Sequence, residues 1–126
     1  MSDSKVSDAT DHRHQPFPEE DEGKASPQPT SYTMVEPRFR EIYFQFYKET
    51  YKPSVLDRKT KELVAISASL AAKCQGCLEG HIKKALKFGA SREEISETIA
   101  IAIGVNAAAI VDLTDIAADN LGIKLY

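Results

Sequence analysis

Helix start and stop signals recur along this chain at short intervals, and no stretch between them alternates as a half-buried strand would. From Glu36 to about Tyr51, Pro37 suits a first helical turn. Phe39, Ile42, Tyr43, Phe46 and Tyr47 then recur at three- and four-residue spacing, forming one stripe that Pro53 ends. That spacing predicts a core or subunit-interface face. Asp57 is a good N-cap before Arg58, and Leu63, Ile66 and Leu70 mark a second apolar face that Val64 and Ala71 widen. A third segment runs from about Gln75 to Phe88, with Ile82, Ala85 and Leu86 apolar, and Gly89 stops it. Ser91 and Glu94 form an S-x-x-E capping box. The apolar, Ala-rich run from Ile95 to Val111 is interrupted at Gly104 and Asn106, which predicts two helices, the second ending near Asn120 ahead of Gly122. Alanines 107, 108 and 109 imply close helix approach. The pattern predicts an all-α bundle.

The bundle has to be built from only part of the 126 residues. Residues 1 to about 31 carry seven acidic residues against three basic ones, and four of the six prolines. Apolar residues are scattered singly there, too few to offset the entropy of ordering, so this segment is expected to be a disordered, acidic, proline-rich tail dispensable for folding. His12 and His14 lie in it without further ligands. The remaining part, residues 32–126, is expected to form one all-α domain. A domain that small buries only about 60–65% of its unfolded surface, so oligomerisation would help it.

Charge and composition exclude several classes. A net charge of −3 leaves no broad basic face for nucleic acid. No run approaches the ~18 consecutive apolar residues of a bilayer span. No apolar region follows a basic start, as a secretory signal requires. Two closely spaced cysteines suit cytoplasmic thiol chemistry better than a disulfide framework.

The chemistry concentrates in C-x-x-C-x-x-x-H, formed by Cys74, Cys77 and His81. If the segment is helical from Cys74 onward, all three share one stripe at about 100° per residue. Two thiols three positions apart can oxidise to a disulfide if the first turn relaxes. An imidazole one turn beyond Cys77 can accept its proton, and a helix N-terminus at Cys74 favours a thiolate, with Lys73 adding a neighbouring cation. The same residues allow other readings. Both cysteines could be small helical hydrophobes and His81 an exposed helix residue. A structural zinc site would have three ligands here, with Glu62 as a fourth. The haem signature fails, because Leu78 follows Cys77. Glu62 lies twelve residues before Cys74, about 18 Å away along a straight helix. It joins the motif only if the chain bends between Lys73 and Gly76, and otherwise it is a solvated first-turn glutamate.

The runs L-D-R-K-T-K-E-L (56–63) and C-Q-G-C-L-E-G-H (74–81) resemble the carboxymuconolactone decarboxylase family, in its alkylhydroperoxidase D-like branch with E-x11-C-x2-C-x3-H. Glu62, Cys74, Cys77 and His81 match that pattern position for position. The resemblance covers roughly Pro53 to Asn120 and implies an alkylhydroperoxidase D-like helical bundle, here a single copy of the core. It implies assembly into homo-trimers or hexamers, and a cysteine-based peroxidase or disulfide-reductase activity with no bound cofactor or metal. By that pattern Cys77 is the peroxidatic thiol, Cys74 the more exposed resolving thiol, and His81 and Glu62 a proton relay. The implied partners are a hydroperoxide and an external dithiol, a lipoyl group or a thioredoxin-like protein. Gly76 departs from alkylhydroperoxidase D itself, which carries a histidine there. Two other classes remain: a cofactor-free decarboxylase or isomerase of a lactone acid, and a non-enzymatic module whose disulfide senses redox state.

Overall fold

The computed structural model describes residues 32–126. The expected tail at 1–31 lies outside the described residues. Four helices follow in order: α1 (Pro37–Tyr51), α2 (Arg58–Ala72), α3 (Gln75–Lys87) and α4 (Arg92–Leu121), with no strand among the described residues. The all-α class read from the sequence is therefore the one observed.

Local chemistry accounts for the boundaries. The Asp57 carboxylate accepts the Thr60 N–H at 2.7 Å and starts α2. Ser91 accepts the Glu94 N–H at 3.0 Å while the Glu94 carboxylate takes the Ser91 N–H at 2.9 Å, closing the capping box of α4. Gly89 (φ +89°) and Gly122 (φ +65°) supply the left-handed turns after α3 and α4. The same turn after α2 is made by a lysine: Lys73 has φ +56°, and the Cys74 N–H bonds back to the Ser69 carbonyl at 3.0 Å.

The core is small and lies among α2, α3 and the first half of α4. Ile66, Ala85 and Ala90 are buried together, and Leu63, Leu70, Leu78, Ile82, Ile95 and Ile99 close around them. Ser67 of α2 donates to the Thr98 carbonyl of α4 at 3.1 Å, fixing that crossing. Leu63, Ile66 and Leu70 thus face inward as expected, whereas Val64 and Ala71 face solvent and do not widen the face.

A further expectation is corrected. The apolar run after Ser91 is one continuous thirty-residue helix, not two. An interior glycine costs only about 1 kcal/mol against alanine, which the surrounding helix formers outweigh. The Asn106 side chain donates to the Ala102 carbonyl at 2.7 Å, within the helix, so it does not compete with it. By length and composition α4 is long and apolar enough to cross a membrane, although no uninterrupted apolar run is that long. Almost none of it is buried: Ile101, Ile103, Val105, Ile110, Val111, Leu113 and Ile116 are all exposed. Of the two faces expected for the aromatic stripe of α1, the intramolecular core is not the one observed, with Phe39, Ile42, Tyr43 and Phe46 exposed. It is the inner edge of α1, Tyr47 and Tyr51, that turns toward the rest of the chain.

Candidate active site

The site forms where α2 ends and α3 begins. Lys73 in the left-handed conformation reverses the chain, so α3 folds back along α2. The bend lies at Lys73, ahead of Gly76, which is buried inside α3. It brings Glu62 and His81 together: His81 Nδ1 donates to Glu62 Oε1 at 2.6 Å, with Glu62 fully buried and His81 6% exposed. A solvated first-turn glutamate is thereby excluded.

Glu62 also accepts from Arg58 Nε at 2.9 Å through its other oxygen. Burial is the largest influence on this carboxyl and pushes its pKa up. The hydrogen bonds from His81 and Arg58, with their charges, together outweigh burial and hold it below the usual carboxylate range. Glu62 is therefore ionised at neutral pH and can only accept, which places the shared proton on His81 Nδ1.

Cys74 and Cys77 are joined by a disulfide, with S–S 2.06 Å and Cα–Cα 5.3 Å. Cys74 is the N-cap of α3 rather than a helical residue, so the shared stripe begins at Cys77. The Cys77 N–H points at Cys74 Sγ at 3.4 Å. The favourable end of the helix thus acts on Cys74, while His81 lies one turn beyond Cys77 along α3. Both cysteines are half-buried. Lys73, expected as a neighbouring cation, is the exposed turn residue that makes the bend.

The residue pattern did not single out two further participants. Arg58 anchors Glu62 from one turn earlier, and its guanidinium lies 4.5 Å from the Phe88 ring centroid and 5.7 Å from that of Tyr51. An i, i+4 Arg–Glu pair is visible in sequence and could have flagged it. Tyr51, from the last turn of α1, stacks on His81 with centroids 5.3 Å apart and brings its hydroxyl to 3.5 Å from Nε2. At a separation of 30 residues, sequence spacing carries no such signal. Lys61 holds that turn of α1 in place, donating from Nζ to the carbonyls of Thr50 (2.7 Å) and Lys52. Among the described residues, no group of three or more His, Cys, Asp or Glu side chains is gathered to hold a metal ion.

A small helical protein with a vicinal Cys pair at a helix N-terminus, and a buried carboxylate–imidazole pair beside it, is the class that fold and site define. The chain belongs to the Carboxymuconolactone decarboxylase family, whose sequence model matches residues 37–119. It is 33% identical over 69 residues to uncharacterized protein 4 in the cox locus of Paracoccus denitrificans, covering 55% of this chain and 62% of that protein. The chain therefore spans less than two thirds of that relative's length. A solved carboxymuconolactone decarboxylase family protein from Legionella pneumophila is 33% identical, with a TM-score of 0.52 over 55% of this chain and 62% of that one. Another, from Thermotoga maritima, is 31% identical, with a TM-score of 0.56 over 67% of this chain and 87% of that one; a part in the antioxidative response has been suggested for it.

Proposed function

We propose that this chain is a cysteine-based peroxidase or disulfide oxidoreductase that cycles Cys74 and Cys77 between dithiol and disulfide. The observation that most supports this reading is the disulfide at the N-terminus of α3, one turn from an imidazole braced by a fully buried carboxylate. In the reduced chain, the Cys77 proton passes to His81 and the thiolate attacks the distal oxygen of a hydroperoxide. The O–O bond breaks, Cys77 becomes a sulfenic acid, and the departing oxygen takes the proton to leave as an alcohol or as water. Cys74 then attacks the Cys77 sulfur, the S–O bond breaks, water leaves and the disulfide closes. An external dithiol, a lipoyl group or a thioredoxin-like protein, returns both electrons by thiol–disulfide exchange. No bound cofactor is needed at any step.

The antioxidative part suggested for the Thermotoga relative agrees with this reading. A lactone-acid decarboxylase needs a cation free to bind the substrate anion, and the cation nearest the Glu62–His81 pair, Arg58, is already bonded to Glu62. The exposed apolar faces of α1 and α4 we assign to other copies of the chain, in a trimer or hexamer acting in the cytoplasm.

Thiol titration before and after a peroxide pulse, with turnover followed under a dithiol, tests the reading. Turnover in the wild type, none in Cys77→Ser, and a trappable sulfenic acid at Cys77 in Cys74→Ser are expected. Sulfenic acid trapped at Cys74 in Cys77→Ser would reverse the two roles. Oxidation once without turnover would make the pair a redox sensor, and thiols inert to peroxide would favour the decarboxylase.

A further inference from the structure

The bond to Glu62 accounts for one nitrogen of His81. With the proton on Nδ1, the lone pair sits on Nε2, and Nε2 meets the Tyr51 hydroxyl at 3.5 Å, the long end of hydrogen bonding. Burial, followed by the nearby Glu62 charge and Tyr43, pushes that hydroxyl up to about 12 against the opposing pull of Arg58. It keeps its proton at neutral pH and is available as a donor. The two rings are 21° from parallel, so stacking holds the pair even without the hydroxyl. The Lys61 clamp on the last turn of α1 fixes the tyrosine over the imidazole.

We propose that Tyr51 is a positioning residue for His81. In the disulfide form its hydroxyl donates to Nε2, holds the imidazole in the Nδ1–H tautomer, and occupies the lone pair until reduction supplies the Cys77 thiol as a competing donor. The other titratable and charged groups tied to this pair are Glu62, bonded to the imidazole, and Arg58 behind it on α2, Tyr47 and Tyr43 of α1 beside Tyr51, and Lys84 of α3 behind Tyr47, with the cysteine pair at the start of α3. Of these, the Tyr47 hydroxyl accepts from Lys84 Nζ at 3.0 Å, and Tyr47→Phe serves as the control. The proposal deepens the thiol chemistry argued above, yet its first readout needs no peroxide turnover.

The test is imidazole nitrogen NMR on the full chain in its disulfide form, with the His81 signals assigned by their loss in His81→Gln. The wild type should show a protonated Nδ1 and an unprotonated, hydrogen-bonded Nε2. Tyr51→Phe keeps the ring stack and should move the Nε2 signal toward that of a free lone pair, while Tyr47→Phe leaves it in place. Lys61→Met, which releases the turn without touching the hydroxyl, should give part of the same shift. Against dithiothreitol, the Tyr51→Phe disulfide should become about two- to tenfold easier to reduce, the worth of one neutral hydrogen bond lost from the oxidised form. The proposal stands only if both the Nε2 signal and the redox equilibrium move in Tyr51→Phe. An Nε2 signal that stays put, or one that moves equally in Tyr47→Phe, overturns it. Absence of peroxide turnover alongside both shifts would overturn the peroxidase reading alone.

Discussion

Glu62 and His81 lie nineteen positions apart, yet they share a 2.6 Å hydrogen bond in a pocket that closes Glu62 off from solvent completely. The carboxylate has two oxygens and two partners, His81 on one and Arg58 on the other. A buried charge is tolerable only when it is paired and hydrogen-bonded in this way. The pair therefore links the α2–α3 turn to the orientation of the imidazole, one turn beyond Cys77 on α3.

That link separates the two residues kinetically. His81→Ala should lower the peroxide rate by roughly 10–1000-fold, the range of a lost general base discounted for a partly ionised thiol. Glu62→Gln should cost less, because it orients the imidazole and transfers no proton itself. Both losses should shrink as the pH rises and the thiolate forms without help. Rate–pH profiles of the two variants decide this; losses that do not vary with pH would mean structural damage instead.

Acid stability should carry the signature of Glu62. Its folded pKa lies below the unfolded value of about 4.3, so its contribution is full above that value and is lost as the pH falls toward the folded pKa. Chemical denaturation from pH 7 down to pH 3 should show this loss in the wild type. Glu62→Gln should be less stable at pH 7, by about 3 kcal/mol for a buried ion pair stripped of one charge, and flatter in acid. Parallel pH curves for the two proteins would contradict the assignment.

The turn at Lys73 gives a test of the backbone. A non-glycine residue in the left-handed region costs about 1 kcal/mol, so Lys73→Gly should be neutral or slightly stabilising. Lys73→Pro forbids the positive φ and removes the N–H that bonds to Leu70 O at 3.2 Å. It should cost 3 kcal/mol or more, on the order of proline in a helix interior, and separate Glu62 from His81. Thermal melts of the two variants, read together, distinguish the bend from a mere surface turn.

Much of this was legible in the residues. Capping chemistry at Asp57, Ser91 and Gly89 is local, and the observed helix ends follow it. The spacing of Cys74, Cys77 and His81 marked the reactive segment, and the need for a bend to reach Glu62 could be stated before its location was known. The bend itself fell on Lys73, the first residue of the interval the sequence left open, where helix-ending hydrogen bonds hold the positive φ. Gly104 was misread as a break because an isolated glycine penalty is small beside thirty residues of helix. Tyr51 was illegible, since its approach to His81 depends on how α1 crosses α2, which no periodicity encodes.

The exposed apolar face of α4 predicts the state of the chain in solution. Light scattering at micromolar concentration should give a mass of several chains. Paired substitution of Leu113 and Ile110 by glutamate should lower that mass without unfolding the α2–α3 core, since both side chains are exposed and outside it. A wild-type monomer, or flotation of the wild type with phospholipid vesicles, would place a different occupant on this face.

The Lys61 clamp, the Lys73 turn and the bond between Glu62 and His81 all act within a short length of chain: the farthest-separated contact of the site spans thirty positions, from Tyr51 to His81. Closing loops of that size costs little entropy, and contacts local in sequence form early during folding. The reactive centre therefore draws its residues from α1 to α3 alone, while the first half of α4 completes the core beneath it. The exposed second half of α4 is left free to vary with its assembly while the thiol chemistry stays intact.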